Sequence, residues 1–264
     1  MIDFLRVWAA HLGLSFKMWK EYRTDFVVGI TAMLLSTSAS VLYSWVIFQN
    51  IVTLNGWTFG QMLFLQGTLA LITGLWGAFF SGLSPWRLDE EVRRGTFDQV
   101  LLKPVGTMKY LLISYIDKDD FGRIVTAIVM ILLGAQLSGI IWGLNNTLMF
   151  LVFVASGLAI DFSIMTIFSS ISFWTTKARS LASIFWHMLN FANYPLEIYN
   201  PVIVFLLTFI IPLGFISYYP AEALLGKGLQ IQLAFLSPII ALIFLAVAYS
   251  IWRYSLKHYA SAGS

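Results

Sequence analysis

The sequence predicts an all-α integral membrane protein with six transmembrane helices, and three observations carry that prediction. Hydrophobic residues make up 59% of the 264 positions and charged residues only 11%, whereas a soluble domain carries about 25% charged residues. Six apolar stretches are long enough to cross the hydrocarbon core of a bilayer, which takes about 20 residues of helix. Almost all Lys and Arg residues then fall on one side of these stretches. A surface with so few charges requires lipid as its solvent.

Six apolar stretches define the predicted spans. Polar turns at 55–56 and 143–146 separate the first span from the second and the third from the fourth. Asp119 or Asp120 is a candidate N-cap for the third span, and Asp161 is the charged residue of the fourth. The predicted spans are residues 26–51, 59–83, 121–142, 147–174, 196–218 and 229–252.

The stretch from Leu181 to Asn193 is ambiguous. It is apolar, but it is short for a span and contains His187 and Asn190. We interpret it as an interfacial or cavity-lining helix that runs into the break at 194–195, because a seventh span would place the C-terminus on the opposite side of the membrane.

The positions of the basic residues predict the orientation. In the six-span arrangement, 15 of the 16 Lys and Arg residues lie on one side, and Lys227 alone lies on the other. The positive-inside rule therefore predicts that both termini and the two longer loops are cytoplasmic.

Residues 1–24 predict an amphipathic interfacial helix rather than a span. Apolar and aromatic residues recur there at helical spacing, and basic residues interrupt them, which is typical of a helix lying at membrane depth. Two roles remain open, a membrane anchor and an elbow helix that transmits motion to the first span. The apolar positions are Phe4, Trp8, Leu12, Phe16 and Trp19.

Residues 84–120, the charged loop, predict a compact helical unit between the second and third spans. Ser84 is a candidate N-cap before Pro85, and Gly95 is placed to end that first helix. Thr96 and Gln99 have the spacing of a capping box for a second helix. A simple connection needs only a few residues, so we expect this loop to dock onto a soluble partner, the alternative being a solvated loop. The candidate docking residues are Arg87, Asp89, Glu90, Glu91, Arg93, Arg94, Gly95 and Asp98.

Small polar residues mark a candidate translocation pathway in the first span. Ser36, Ser40 and Ser44 are four residues apart and share a helix face. Such a stripe serves close helix packing or lines the translocation seam at a dimer interface.

Asp161 is the second pathway candidate. A carboxylate within the membrane is costly unless it is paired, hydrated or protonated. It therefore indicates a water-filled cavity or proton relay, or else a carboxyl group bonded to neighbouring Ser or Gln side chains. The candidate neighbours are Ser36, Gln66 and Gln136.

Several classes of chemistry are not indicated. The sequence contains no Walker A motif, so ATP binding is expected from another chain. The three histidines are scattered and there is no cysteine, so we expect neither a metal site nor a catalytic residue. The net charge of +3 is small and dispersed, which argues against nucleic acid as a partner.

The charged loop also resembles a known family. Residues 91–104, EVRRGTFDQVLLKP, are similar to the cytoplasmic signature of a subfamily of ABC-2 type permeases, the membrane subunits of type-2 ABC exporters. The ending HYASAGS at 258–264 and the stretch YPAE at 219–222 fit the same subfamily. The resemblance covers essentially the whole chain and implies a type-2 ABC exporter fold in a prokaryotic plasma or inner membrane.

The resemblance implies an assembly as well. Two permeases, identical or sister subunits, would sit on two cytoplasmic ABC ATPase subunits, which bind ATP and Mg²⁺, while this chain itself needs no cofactor. The loop around residues 90–98 would couple the ATPase to the membrane helices, and residues 212–228 would dip back into the outer leaflet as short helices.

Two functions follow from these observations. The first is the permease subunit of an exporter that moves an amphiphilic or hydrophobic substrate outward, using ATP hydrolysed by a separate subunit. The alternative is an ion-coupled secondary transporter or channel that uses Asp161. The sequence shows no internal repeat and no paired broken helices of the kind secondary transporters have, which favours the exporter.

Overall fold

The computed structural model describes residues 4–175, 178–227 and 231–259. Within these ranges the chain is helical and has no β-strand. The α-helices, in chain order, are α1 (Phe4–Glu21), α2 (Arg23–Phe48), α3 (Phe59–Phe80), α4 (Pro85–Arg93), α5 (Phe97–Leu101), α6 (Thr107–Ser114), α7 (Asp120–Ser138), α8 (Leu144–Ile171), α9 (Ala178–Met188), α10 (Pro201–Phe205), α11 (Tyr218–Leu224), α12 (Ile231–Ala234) and α13 (Ser237–Lys257).

Among the described residues, five segments are long and apolar enough to cross a membrane, and they contain α2, α3, α7, α8 and α13. A bent pair of helices, Pro201–Ile210 and Leu213–Leu224, would make a sixth if it were one span, but it is bent by 71° at the break. The protein is therefore a multi-pass, all-helical membrane protein with five to six candidate spans.

The two ends of the helix bundle are named here by the segments that lie there. The end with α4, α5 and α6 is called the loop end. The far end contains the turn between α2 and α3, where Asn55 has a positive φ of 46°.

The bent pair begins and ends at the far end. Just before the pair in the chain, the Glu197 carbonyl oxygen accepts a hydrogen bond from the Asn55 side-chain amide at 2.9 Å. Just after the pair, the Lys227 ammonium group donates to the Gly56 carbonyl oxygen. Between these points the chain reaches the middle of the bundle, where the Ile216 carbonyl lies against Gly157 of α8. Both ends of the pair therefore lie at the far end, and its bend interrupts the predicted fifth span, 196–218.

Proline explains the break in this segment. Pro212 has no N–H and its ring obstructs a preceding helical turn, so Ile211 takes an extended conformation with φ −119° and ψ 95°. A 3-10 turn at Leu213–Phe215 and α11 follow. Short helices after Pro212, which the family resemblance implied, are thus observed as far as residue 227.

The segment from α9 onward runs from the loop end to the far end. At its start, Ser183 accepts a hydrogen bond from Trp86 Nε1 of α4 at 3.3 Å. It continues through 3-10 turns at Leu189–Asn193 and Leu196–Ile198 to Glu197 at the far end. The ambiguous stretch 181–193 is therefore a traverse of the bundle.

Three predicted helix starts can be checked against the backbone. Ser84 caps α4 as expected, with its hydroxyl accepting from the Arg87 N–H at 3.4 Å. The capping box predicted at Thr96 is wrong, because Thr96 already has helical dihedral angles and its hydroxyl donates to the Glu91 carbonyl oxygen. Asp119 precedes α7 but its side chain makes no capping bond.

Helix α3 lies at the centre of the bundle, packed against α7, α8 and α2. Its contact with α7 is close because glycines face backbone across the interface. A Cβ atom on Gly134 would lie 2.5 Å from the Phe64 nitrogen, and one on Gly67 would lie 2.9 Å from the Ile131 nitrogen. Gly67 therefore serves helix packing, and α3 and α7 form a backbone-to-backbone pair.

Candidate functional site

The charged loop folds onto a small aromatic core of its own. Leu88 and Phe97 are fully buried there. The Phe97 ring lies 5.0 Å from that of Phe173, which follows α8, and Phe173 lies 5.4 Å from Trp252 of α13. Tyr259 adds a hydrogen bond from its hydroxyl to Asp98 Oδ1 at 3.1 Å. The loop is thus attached to the loop-end termini of α8 and α13.

The predicted charges are distributed unequally over this unit. Arg87 Nε lies 2.8 Å from Glu91 Oε1, and the Arg87 guanidinium also covers the Tyr115 ring at 4.8 Å. Arg94 and Glu90 form a second pair, in which the Arg94 side chain is 68% exposed. Arg93 is exposed as well, whereas Asp89 is buried and Gly95 ends α4 with φ +70°. Of the candidate docking residues, Arg93 and Arg94 are exposed, whereas Glu91 is partly buried and pairs with Arg87.

Sequence reasoning missed two residues on this surface. Leu101 and Leu102 at the end of α5 are 43% and 84% exposed. The sequence carried part of the signal, because Phe97 and Val100 occupy the buried face of this short helix at i and i+3. Leu102, at i+5 from Phe97, falls off that face, whereas Leu101, at i+4, would be expected to share it. We call the two exposed leucines the apolar tip.

A polar cleft of 210 Å³ lies between α2, α3, α7 and the traverse that starts with α9. Of the three candidate pathway serines, Ser36 and Ser40 line this cleft, whereas Ser44 is buried and accepts a hydrogen bond from Gln66 Nε2 at 2.8 Å. The cleft is lined by Ser36, Thr37, Ser40, Gln66, Leu69, Ala70, Thr73, Arg123, Trp186, Leu189, Asn190 and Asn193.

The ambiguous stretch 181–193 supplies one wall of this cleft. Trp186, Asn190 and Asn193 line it, as a cavity-lining helix would. Of the polar residues that made the stretch a poor span by composition, Asn190 and Asn193 line the cleft, whereas His187 is exposed and is not part of the lining.

A second cavity of 500 Å³ lies at the loop end and is called the loop-end cavity. It is rich in charged and aromatic side chains. Burial is the main cause that raises the pKa of Asp117, with the neighbouring Asp119 charge acting in the same direction. Its lining includes Trp76, Trp86, Arg87, Glu90, Tyr115, Asp117, Asp120 and Arg179.

Three tryptophans separate the polar cleft from the loop-end cavity. Trp186 lines the cleft, and its ring lies 6.2 Å from Trp76 and 5.9 Å from Trp86, both of which line the loop-end cavity. The Trp86 ring stands at 90° to Trp186. We call these three residues the tryptophan partition, because their ring contacts join the lining of one space to the lining of the other.

Asp161 is apart from both spaces. It is completely buried in α8, and neither carboxylate oxygen has a hydrogen-bond partner among the described residues. The predicted bonds to Ser36, Gln66 or Gln136 are therefore not formed, and Gln66 bonds Ser44 instead. Asp161 is not among the described residues that line the polar cleft or the loop-end cavity.

A buried polar network closes the far end. Trp57 is 1% exposed and donates from Nε1 to Glu197 Oε1 at 3.2 Å, and Lys227 Nζ lies 4.8 Å above its ring. The Tyr218 hydroxyl interacts with the carboxyl groups of Glu197 and of Glu222, which is 4% exposed. Burial lowers the pKa of Lys227, and the two carboxylates oppose that shift. These five residues form the far-end network.

A comparison with protein families identifies the family to which the chain belongs. The model of the ABC-2 family transporter proteins matches residues 34–263, which is most of the chain. The chain therefore belongs to the ABC-2 family of transporters and is a membrane permease subunit of an ABC transporter, a class that works with an ABC ATPase. The C-terminal residues 260–264, part of the ending that resembled this family, lie outside the described residues. Comparisons with curated proteins and with solved structures give no match.

Proposed function

We propose that this chain is the permease subunit of an ATP-driven exporter. It moves an amphiphilic or hydrophobic substrate outward across a prokaryotic cell membrane, with ATP and Mg²⁺ bound by separate cytoplasmic ABC ATPase subunits. A second permease, identical or a sister chain, completes the membrane part. Family membership and the near-absence of Lys and Arg from the far end support this arrangement, with the loop end and both termini cytoplasmic.

The proposed topology has six crossings. They are α2, α3, α7, α8, the traverse from α9 to Ile198, and α13, so the chain returns to the cytoplasm. The bent pair is a re-entrant segment that enters from the outer side. Helix α1 is the elbow helix along the inner surface, where Trp19 stacks at 5.8 Å on Phe26 of α2 and so links the elbow to the first crossing.

The single observation that carries the coupling role is how the charged loop is attached. Its exposed face has Leu101, Leu102 and Arg94, while its buried face joins Phe173 and Trp252. Exposed apolar residues ringed by charges are typical of a protein-binding surface. A force applied by an ATPase to the exposed face would be transmitted to the ends of two crossings.

The proposed pathway starts in the loop-end cavity, passes the tryptophan partition and enters the polar cleft. The first space is open to the charged loop and the second is lined by the Ser36 and Ser40 stripe. Movement of α4 would shift Trp86, and with it the partition, because Trp86 belongs to α4 and bonds Ser183 of α9.

The experiment is a comparison of two variants at the apolar tip. Leu102→Asp should weaken the complex with the ATPase subunit by about thirtyfold, the effect of losing one interface hot spot, and should abolish stimulation of ATP hydrolysis by the permease. Leu102→Met is the matched control and should behave as wild type. Recovery of the ATPase with tagged permease, together with the hydrolysis rate, measures both.

Normal recovery and hydrolysis with Leu102→Asp would remove the coupling role from this loop. ATP-independent transport by the purified chain alone in liposomes would overturn the exporter proposal as a whole and would favour the ion-coupled alternative.

A further inference from the structure

The polar cleft has a composition suited to a particular kind of ligand. Its walls present hydroxyl and amide groups from three crossings, and Arg123 is the charged residue among the described residues that line it. The cleft therefore has a positive centre surrounded by neutral hydrogen-bonding groups.

Arg123 retains capacity for an anion. Its Nε lies 3.4 Å from Asp120 Oδ1, Nη2 lies 3.5 Å from the Met33 sulfur, and the guanidinium is 5.7 Å from the Trp186 ring centroid. Asp120 is the carboxylate within ion-pair distance among the described residues, and Asp117 and Asp161 act on Arg123 only at longer range. A guanidinium has five N–H donors and a thioether is a weak acceptor, so donors remain that match a phosphate or carboxylate in bidentate geometry.

Gln66 is a second, independent indication that the cleft binds a ligand. It is 2% exposed, its Nε2 donates to Ser44, and its Oε1 has no partner among the described residues. A buried acceptor without a donor costs free energy. Because Gln66 lines the cleft, a ligand hydroxyl is the group that would satisfy it. Asn190 and Asn193 on the opposite wall offer further donors and acceptors.

The size of the cleft limits how much of a ligand it holds. Pockets for drug-sized molecules measure about 300–1,000 Å³, whereas this cleft has 210 Å³. It holds a head group rather than a whole amphiphile. Ser36 and Asn190 of its lining are exposed, so the cleft opens at the surface of the bundle and attached hydrocarbon chains can remain in lipid.

We propose that the polar cleft binds the anionic, hydroxyl-bearing head group of an amphiphile. Arg123 binds the phosphate or carboxylate, and Gln66 Oε1 accepts a hydrogen bond from a hydroxyl of the same head group. This inference rests on the proposed function, since the amphiphile would be the cargo of the exporter.

The test measures binding to the full chain purified with its ATPase subunit, without nucleotide. The probe is short-chain phosphatidylglycerol, which has a phosphodiester and free hydroxyls, and native mass spectrometry or calorimetry gives the affinity. We expect phosphatidylcholine of equal chain length to bind about tenfold more weakly, because its head group is zwitterionic and has no hydroxyl.

Variants locate the site. Arg123→Gln should weaken phosphatidylglycerol binding about tenfold, and Gln66→Leu about threefold to tenfold. Gln136→Leu is the matched control, since Gln136 is an exposed glutamine of α7 outside the cleft, and it should bind as wild type. Thermal unfolding of each variant separates lost binding from lost folding, and Arg123→Lys, which keeps the charge but not the fork, should fall between wild type and Arg123→Gln.

Three results would overturn the proposal. They are equal binding of the two lipids, wild-type affinity in folded Arg123→Gln and Gln66→Leu, and equally tight binding of free glycerol phosphate, which would make the ligand a soluble anion. The ATPase coupling is tested separately: Leu102→Asp, purified without the ATPase subunit, should bind phosphatidylglycerol normally. If the wild-type complex shows no preference for phosphatidylglycerol while Leu102→Asp loses the ATPase as expected, only this inference fails. If phosphatidylglycerol binds as expected while Leu102→Asp keeps normal ATPase recovery and stimulation, only the coupling role in the proposed function fails.

Discussion

The loop end and the far end use polar residues in opposite ways. At the loop end, charged side chains such as Arg94 point outward from a buried aromatic core. At the far end, Trp57 and Glu222 are turned inward and bond to other parts of the same chain. The first arrangement leaves a surface available to another protein, and the second closes a surface by itself. Changes at the far end should therefore act on stability, and changes at the loop end on partner binding.

The largest expected effect is at the far end. Trp57→Ala should lower the free energy of unfolding by about 3–5 kcal/mol, because a fully buried indole is replaced by a cavity and the bond to Glu197 is lost. Trp45→Ala is the control, since Trp45 is 50% exposed, and should cost far less. Thermal or denaturant unfolding in detergent measures both, and equal losses would contradict the closed far end.

A smaller effect is expected from packing in the far half of the bundle. Gly134→Ala should destabilise the protein by about 1–3 kcal/mol, because the new Cβ would lie 2.5 Å from the Phe64 nitrogen. Gly143→Ala has nothing within 4 Å of the added atom and should be nearly neutral. The same unfolding measurement tests this prediction. If Gly134→Ala left the free energy of unfolding unchanged, α3 and α7 would be able to separate at little cost.

At the loop end we expect almost no effect on stability. Arg94→Ala removes an exposed i,i+4 pair worth about 0.3–0.5 kcal/mol, yet it should reduce recovery of the ATPase subunit. Glu91→Ala removes the inner pair with Arg87 and should weaken coupling as well. Unfolding midpoints and pull-down yields measured on the same samples separate the effect on stability from the effect on ATPase binding. A large drop in the midpoint with normal recovery of the ATPase would contradict the assignment of the loop end to partner binding.

The smallest expected effect is a pH dependence at the far end. Burial lowers the pKa of Lys227, so the folded state holds this proton less tightly than the unfolded state does. Stability from this group should therefore rise as the pH approaches 10.5, the ordinary lysine value. The difference in unfolding temperature between wild type and Lys227→Met, followed from neutral pH to about pH 10, should change in that direction. If the difference in unfolding temperature did not change with pH, the Lys227 ammonium group would be fully hydrated in the folded state.

Hydropathy located the five long apolar helices and was less informative at two other segments. Helices α2, α3, α7, α8 and α13 coincide with long apolar runs because lipid and core both favour such residues. The segment 178–198, a crossing in the proposed topology, was not predicted as a span, since Asn190 and Asn193 depress its hydropathy, although they line a polar cleft. The segment 196–218 was predicted as a span because it is apolar, although Pro212 breaks it and the helix pair around the break is bent by 71°.

At the candidate sites, the sequence likewise predicted some features and missed others. Capping chemistry located α4 from Ser84 and Pro85, since those bonds are local. The stripe at Ser36 and Ser40 was found from helical spacing, but that spacing could not tell that Gln66 would take Ser44 out of the cleft. Such partner choices depend on how separate helices meet, which no local pattern encodes.

The glycine contacts between α3 and α7 have a mechanical consequence. Two helices that touch through backbone at Gly67 and Gly134 cannot slide without steric overlap, so the pair is the rigid frame of the molecule during a transport cycle. We expect opening to come from helices outside this frame, such as α9, rather than from the loop-end half of α2, where a Cβ on Gly122 of α7 would lie 2.5 Å from the Ile30 carbonyl oxygen. Spin labels on α3 and α7 should keep one separation through the ATP cycle, while labels on α9 and on the far half of α2 report the stroke.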